Sequence, residues 1–214
     1  GARWSVPGLE GEVHVLVNEL GVPWVYAERR ADLGRGVGFV LARDRYFYLD
    51  LARRLAQGET ASLLGADALE TDIEARMTGM AFITDRLVGL LQADPELGPY
   101  FEAVAEGVNA AAAAMRAGDL PTPSEYDLAA PLLGKTAADL VTDFDLRDVV
   151  AGVVTVLYES GFETKDVGRS SDAEAMLSVF DGAPEQALRE AGISDVWDRA
   201  EPVYGVASAP DWPT

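Results

Sequence analysis

The sequence predicts an α+β fold, mostly helical, opened by a short β-hairpin. Three observations carry this. Two apolar extended segments near the start flank a turn at Asn18–Gly21. Downstream, apolar positions recur at helical spacing between capping residues and glycines. No further strand pattern follows, so one hairpin stands against many helices. A hairpin alone is marginally stable, and its apolar residues need a sheet built elsewhere. The sequence therefore implies a partner chain.

Residues 1–27 read as a lead-in and the hairpin, 28–202 as a helical region and 203–214 as an extended tail. Val13, Val15 and Val17 alternate with His14, Leu16 and Asn18, and Val22 to Ala27 returns as the second strand. Pro23 suits a strand start or an edge. Asp32-Leu33 leads into Gly34-Arg35-Gly36-Val37-Gly38, read as a helix or turn packed closely against another backbone. An amphipathic helix is expected from about Asp44 to Gln57, with Phe47, Leu51 and Leu55 on one face and Gly58 just past its end. Glu59 to Leu64 is a short segment stopped by Gly65. Asp72 to Gln92 is largely helical, with a bend at Gly79 or Gly89. Asp94 caps a helix with Pro95 in its first turn, running to Ala117 before Gly118. Leu120 to Pro123 is a spacer, and Tyr126 to Leu133 is expected to be irregular. Asp143 or Asp145 caps a helix to about Ser160, followed by Gly161. Ser170–Phe180, Pro184–Ala191 and Asp195–Ala200 read as shorter helices.

The chain has 214 residues, a net charge of −19 and no cysteine. Nucleic acid is excluded as a partner, because its phosphates would be repelled. Disulfides and thiolate chemistry are excluded too. No apolar run reaches the ~18 residues of a membrane span. Gly1 to Ser5 lacks the apolar core of a signal peptide, so an exported form would already have lost its signal. The glycines around Gly36 fit neither G-x-x-x-x-G-K-[ST] nor a G-x-G-x-x-G turn after a buried strand. His14 is the only histidine. It has no G-x-S-x-G serine to serve, which leaves a surface or interface role. Arg45, Arg53 and Arg54 have the charge to bind an anionic substrate, but better suit buried ion pairs with Asp44, Asp50 or carboxylates of a partner. Glu163, Asp166, Asp172 and Glu174 form an acidic cluster with the oxygen chemistry of hard cations, though such a cluster is also an ordinary solvated face.

Val15-Leu16-Val17-Asn18-Glu19-Leu20-Gly21-Val22-Pro23-Trp24-Val25-Tyr26-Ala27 resembles the opening V-x-x-D-x-x-G-V-P-H-I-Y-A of the penicillin acylase family. Gly36 to Arg45 is similar to its G-x-G-x-V-x-A-Q-D-R. Arg53-Arg54, Gly58, Gly65 and Arg76 fall where the family has R-R-x-x-x-G, L-G and a later Arg. Trp24 stands where the family has His, and Asn18 where it has Asp. The similarity runs from about Val13 to Gly118 and resumes more weakly near Asp143 and at the C-terminus.

The resemblance implies the alpha chain of an N-terminal-nucleophile hydrolase cut from one precursor. Its hairpin would complete the αββα sandwich of a beta chain whose N-terminal Ser is the nucleophile, so no catalytic residue is expected in this chain. It implies hydrolysis of the acyl amide of penicillin-like or other N-acylated substrates, with acyl-homoserine lactones and lipopeptides as alternatives. It also implies a periplasmic or secreted location. The end of the Asp145 helix would border the acyl pocket, giving Tyr158, Gly161, Phe162 and Lys165 as pocket residues. One calcium-ligating acid would fall at Asp172, with Glu174 as a second candidate. The alternative of another class is a stand-alone acidic helical module binding calcium or lipid.

Overall fold

The structure, a computed structural model, describes residues 3–161. Phe162, Lys165, Asp172, Glu174, the three later helices and the extended tail all lie outside them.

Strands β1 (Val13–Val17) and β2 (Pro23–Ala27) pair antiparallel, with Val13 opposite Ala27 and Val17 opposite Pro23. Asn18 builds the turn: its Oδ1 accepts from the amides of Leu20 (3.0 Å) and Val22 (2.8 Å). Gly21 takes φ 78°, where a glycine is at ease. One hairpin face rests on the first helix. A Cβ added at Gly36 would lie 2.7 Å from Val13 Cγ1 and 2.9 Å from Val25 Cγ1. The opposite face presents His14, Leu16, Trp24 and Tyr26 to solvent.

Helix α1 runs from Arg30 to Gln57, so the helix expected from about Asp44 begins much earlier. Glycines weaken an isolated helix by ~0.5–1 kcal/mol each, so Gly34, Gly36 and Gly38 sit in α1 against propensity. Here they serve close packing, as their closely-packed reading anticipated. A Cβ at Gly38 would come within 2.0 Å of the Val104 carbonyl oxygen. One at Gly107 would come within 2.0 Å of the Arg35 carbonyl oxygen. Helix α5 (Leu97–Ala117) thus meets α1 backbone to backbone, and that burial overrides propensity. Midway, Arg45 leaves helical geometry (φ −146°, ψ 32°), kinking α1. Gly58 ends it in the left-handed region at φ 66°.

Short helix α2 (Ala61–Leu64) and a 3₁₀ turn (Ala66–Ala68) precede α3 (Leu69–Met77). Asp72 of α3 reaches back to hold the start of α2. Its carboxylate accepts from the amides of Thr60 (2.6 Å) and Ala61 (2.9 Å) and from the Thr60 hydroxyl. Gly79, at φ 76°, separates α3 from α4 (Met80–Ala93), which places the expected bend. Asp94 caps α5 as expected, accepting from the amides of Glu96 and Leu97 at 2.8 Å each.

Residues expected to be irregular form α6 (Ser124–Leu132). Tyr126 drives this: it is fully buried, edge-on to Tyr46 and Phe47. A four-residue helix α7 (Ala137–Leu140) carries a Thr136–Asp139 capping box. Helix α8 spans Leu146–Ser160. Asp145 caps it: the Asp148 amide donates to Asp145 Oδ1 (2.9 Å), and the Asp145 amide donates to Asp148 Oδ2 (3.1 Å).

Two apolar clusters form the core. The larger gathers Phe39, Tyr46, Val108, Met115, Tyr126 and Phe144 around α1, α5 and α6. The smaller joins Ala56, Ala75, Met80, Leu146, Val150 and Val154 beneath α8. Among the described residues, no helix is long and apolar enough to cross a membrane.

Candidate functional site

The second half of α1 places Asp50, Arg53, Arg54 and Gln57 along a buried seam against α6 and α8. The kink at Arg45 accompanies this. The residue that follows it, Tyr46, turns inward; its hydroxyl donates to the Thr142 carbonyl and accepts from the Thr142 amide (2.9 Å). Asp50 is fully buried. Its Oδ1 faces Arg53, with Nε at 2.9 Å and Nη2 at 2.7 Å. Its Oδ2 accepts from Arg54 Nε (3.0 Å) and the Tyr126 hydroxyl (2.7 Å).

Arg53 completes the seam. Nη1 donates to the Asp143 carbonyl and to Asp148 Oδ2, each at 3.0 Å, and Nη2 donates to Thr142 Oγ1 at 2.5 Å. The guanidinium stacks on Phe144 at 3.8 Å from its ring centre. Gln57 donates to Asp148 Oδ1 (2.9 Å). Two carboxylates thus meet two guanidiniums, and buried charges are held only when paired in this way. Burial works against the Arg53 charge, but Asp50 and Asp148 outweigh it and hold the group above its ordinary value. Burial, followed by the nearby Asp50 charge, raises the phenols of Tyr46 and Tyr126. The expected pairing of Arg53 and Arg54 with Asp50 is therefore seen. Arg45 differs: it bonds the Asp44 carbonyl (3.0 Å), while Arg43 takes the Asp44 carboxylate (2.7 and 2.9 Å).

Beside this seam lies an apolar groove of about 420 Å³ between α1, α5 and α8. Val37, Leu41, Tyr48, Val153, Val156 and Leu157 form much of its walls, and Asp148 sits in its lining. Leu41, Tyr48, Val153, Val156 and Leu157 are exposed. Sequence reasoning missed this groove. Its signal is present in Val149, Val153 and Leu157 at i, i+4 and i+8, an apolar stripe on a helix whose other face is already buried.

Of the expected pocket residues, Tyr158 is half-buried against the smaller core cluster, and Gly161 follows the last turn of α8, itself half-buried. Phe162 and Lys165 are outside the described residues, as are the calcium candidates Asp172 and Glu174. Among the described residues, no group of three or more His, Asp or Glu could hold a metal. His14 lies on the surface, its Nε2 3.7 Å from a Glu12 carboxylate oxygen.

Residues 12–192 match the penicillin amidase family. The chain is similar to penicillin acylase 2 proenzyme of Pseudomonas sp. (strain SE83), at 40% identity over 58% of this chain and 15% of that protein. It is 33% identical to penicillin G acylase of Escherichia coli over 50% of this chain and 13% of the relative. It is 36% identical to acyl-homoserine lactone acylase QuiP of Pseudomonas fluorescens over 48% of this chain and 12% of the relative. The matched stretch is thus a small part of each relative's length. In fold, the chain is similar to thermostable penicillin G acylase from Alcaligenes faecalis: TM-score 0.60 at 21% identity, covering 96% of this chain and 99% of that one. The match across most of the sequence makes this chain a member of the penicillin amidase family.

Proposed function

We propose that this chain is the small subunit of an amidohydrolase that cleaves the acyl amide of penicillin-like or other N-acylated substrates. The nucleophile would be the N-terminal Ser of a larger chain cut from the same precursor. Its own amine would act as general base, its hydroxyl would attack the amide carbonyl, and water would release the acid from the acyl-enzyme. Oxyanion donors would come from the larger chain. This chain would supply the helical layer, two strands and one wall of the pocket.

The observation that carries the proposal is the hairpin. One face rests on α1 at Gly36, while Leu16 (61% exposed), Trp24 (55%) and Tyr26 (51%) face water on the other. Strands apolar on both faces belong inside a layered sheet. The groove adds to this. It begins at Val37, beside the seat of the hairpin, and continues along α1 to α8. Further strands from the larger chain, added beside the hairpin, would lie over it. Support also comes from relatives named as penicillin acylases and acyl-homoserine lactone acylases, one of them a proenzyme.

Within this reading, Tyr158, Gly161, Phe162 and Lys165 border the acyl pocket. Asp172, or Glu174, contributes a calcium ligand alongside oxygens of the larger chain, and the enzyme is periplasmic or secreted. Denaturing electrophoresis and intact mass of the native protein test the proposal, with N-terminal sequencing of any second chain. A larger chain beginning with Ser is expected. A homogeneous, folded single chain overturns the proposal and favours a stand-alone acidic module.

A further inference from the structure

We infer that Arg53, acting through Asp148, is a positioning residue that sets where α8 lies and so tunes which acyl groups the enzyme accepts. This rests on the amidohydrolase reading above. Arg53 joins three parts of the chain. Asp50 fixes its guanidinium from within α1. Thr142 and the Asp143 carbonyl bind it from the loop before α8, and Asp148 binds it from the first turn of α8. All three guanidinium nitrogens have an oxygen partner, and the plane is stacked on Phe144. Lysine, with one nitrogen and no plane, cannot reproduce that set.

Asp148 is used three times over. Oδ2 accepts from Arg53 and from the Asp145 amide at the helix start, and Oδ1 accepts from Gln57. The helix cap and the tie to α1 therefore share one carboxylate. Moving Asp148 loosens both. Further along, the Thr155 hydroxyl donates to the Ala52 carbonyl (2.7 Å), a second tie to α1. Between these ties α8 presents Val149, Gly152 and Val153 to the groove, and beyond them Val156 and Leu157. A helix is a stiff rod, so a tilt at Asp148 is carried to Tyr158, ~15 Å along the axis. It would change the groove wall and the border of the acyl pocket together, with no change at the nucleophile.

The test uses the full-length gene product, matured to both chains. Arg53→Lys, Asp148→Asn and the double variant are assayed on short, aromatic and long-chain N-acyl amides. Amide hydrogen exchange of α8 and α5 is measured on the same proteins. Arg53→Lys is expected to change the long-to-short ratio of kcat/KM at least five-fold, chiefly through KM. Asp148→Asn should act in the same direction, and the double variant should stay within two-fold of the stronger single one, because both break one link. Exchange protection should fall at least ten-fold in α8 and less than two-fold in α5. Equal slowing of every amide, or equal loss of protection in both helices, overturns the inference. If Arg53→Lys does not mature, Asp148→Asn and Gln57→Ala carry the same comparison. If the wild type cleaves none of the amides, the amidohydrolase reading fails. The exchange comparison then decides whether Arg53 positions α8: selective loss upholds that role, and uniform loss or no loss ends it.

Discussion

Replacing Gly38 by Ala should destabilise the protein, although alanine is the better helix former. The new Cβ would lie 2.0 Å from the Val104 carbonyl oxygen, 2.9 Å from its carbonyl carbon and 3.0 Å from the Val108 nitrogen. Every one of these is backbone of α5, which no rotamer change can move aside. Since ordinary contact begins near 3.4 Å, α1 and α5 must separate by more than ~1 Å along their crossing. Overpacking of this kind costs ~1–3 kcal/mol, and rigid backbone on both sides puts Gly38 at the upper end. The gain in helix propensity offsets ~1 kcal/mol. A net loss of ~2 kcal/mol is expected. Gly89, inside α4, is the control. A Cβ there meets nothing within 4 Å, so Gly89→Ala should stabilise by up to ~1 kcal/mol. Gly107→Ala, whose Cβ meets Arg35 at the same crossing, should cost about as much as Gly38→Ala. The double variant should cost less than the sum, because the first substitution already parts the helices. The assay is denaturant and thermal unfolding of the protein, comparing midpoints. If Gly38→Ala and Gly89→Ala shift the midpoint in the same direction, the close-crossing argument is wrong.

Asp72 gives a pH-dependent prediction. Burial works to raise its pKa, but hydrogen bonds from the Thr60 hydroxyl, the Ala61 and Thr60 amides, and the Arg76 charge outweigh it and hold it below the ordinary carboxylate value. A lowered folded pKa stabilises the protein above the unfolded value, and that contribution is lost as pH falls through the folded one. Asp72→Asn should therefore cost ~1–3 kcal/mol at neutral pH, with the gap to wild type closing below about pH 4; a gap unchanged down to pH 2 would count against this. If a larger chain docks on the hairpin as proposed, Leu16→Asp and Trp24→Asp should block that assembly, read by co-purification and gel filtration, and an unchanged complex would remove the hairpin as a contact. Asp172→Ala should lower the melting temperature in a calcium-dependent manner; a calcium-soaked crystal with no ion ~2.3–2.6 Å from the Asp172 or Glu174 carboxylates would refute the ligand role. If Phe162 lines the acyl pocket as proposed, Phe162→Ala should change relative kcat/KM across acyl amides by at least the ~1–3 kcal/mol that a single methylene in a pocket is worth; equal slowing of all substrates would make Phe162 merely structural.

The chain by itself determined the parts of the fold that local chemistry controls. Asn18 and Gly21 define the hairpin turn and its register. Asp94 starts a helix with its own side chain, and Gly58 and Gly118 end helices in the left-handed region, whereas the choice of Asp145 over Asp143 and of Gly79 over Gly89 came from the structure. The family motif from Val15 to Arg54 is also legible there, because it is a run of adjacent residues. Only the tertiary structure decided the rest. Gly34, Gly36 and Gly38 read as a closely packed helix or turn, but what they pack against is not legible locally: Gly34 and Gly38 meet α5, more than 60 residues away, and Gly36 meets the hairpin. Tyr126 makes a helix of a stretch that looks irregular by burying its ring against Tyr46 and its hydroxyl on Asp50. Asp148 looks like a surface acid in a first turn until Arg53 and Gln57 close on it from 95 and 91 residues away. Local preferences of a fraction of a kcal/mol per residue are visible along the chain. The contacts that outweigh them join residues far apart in sequence, so no short-range pattern records them.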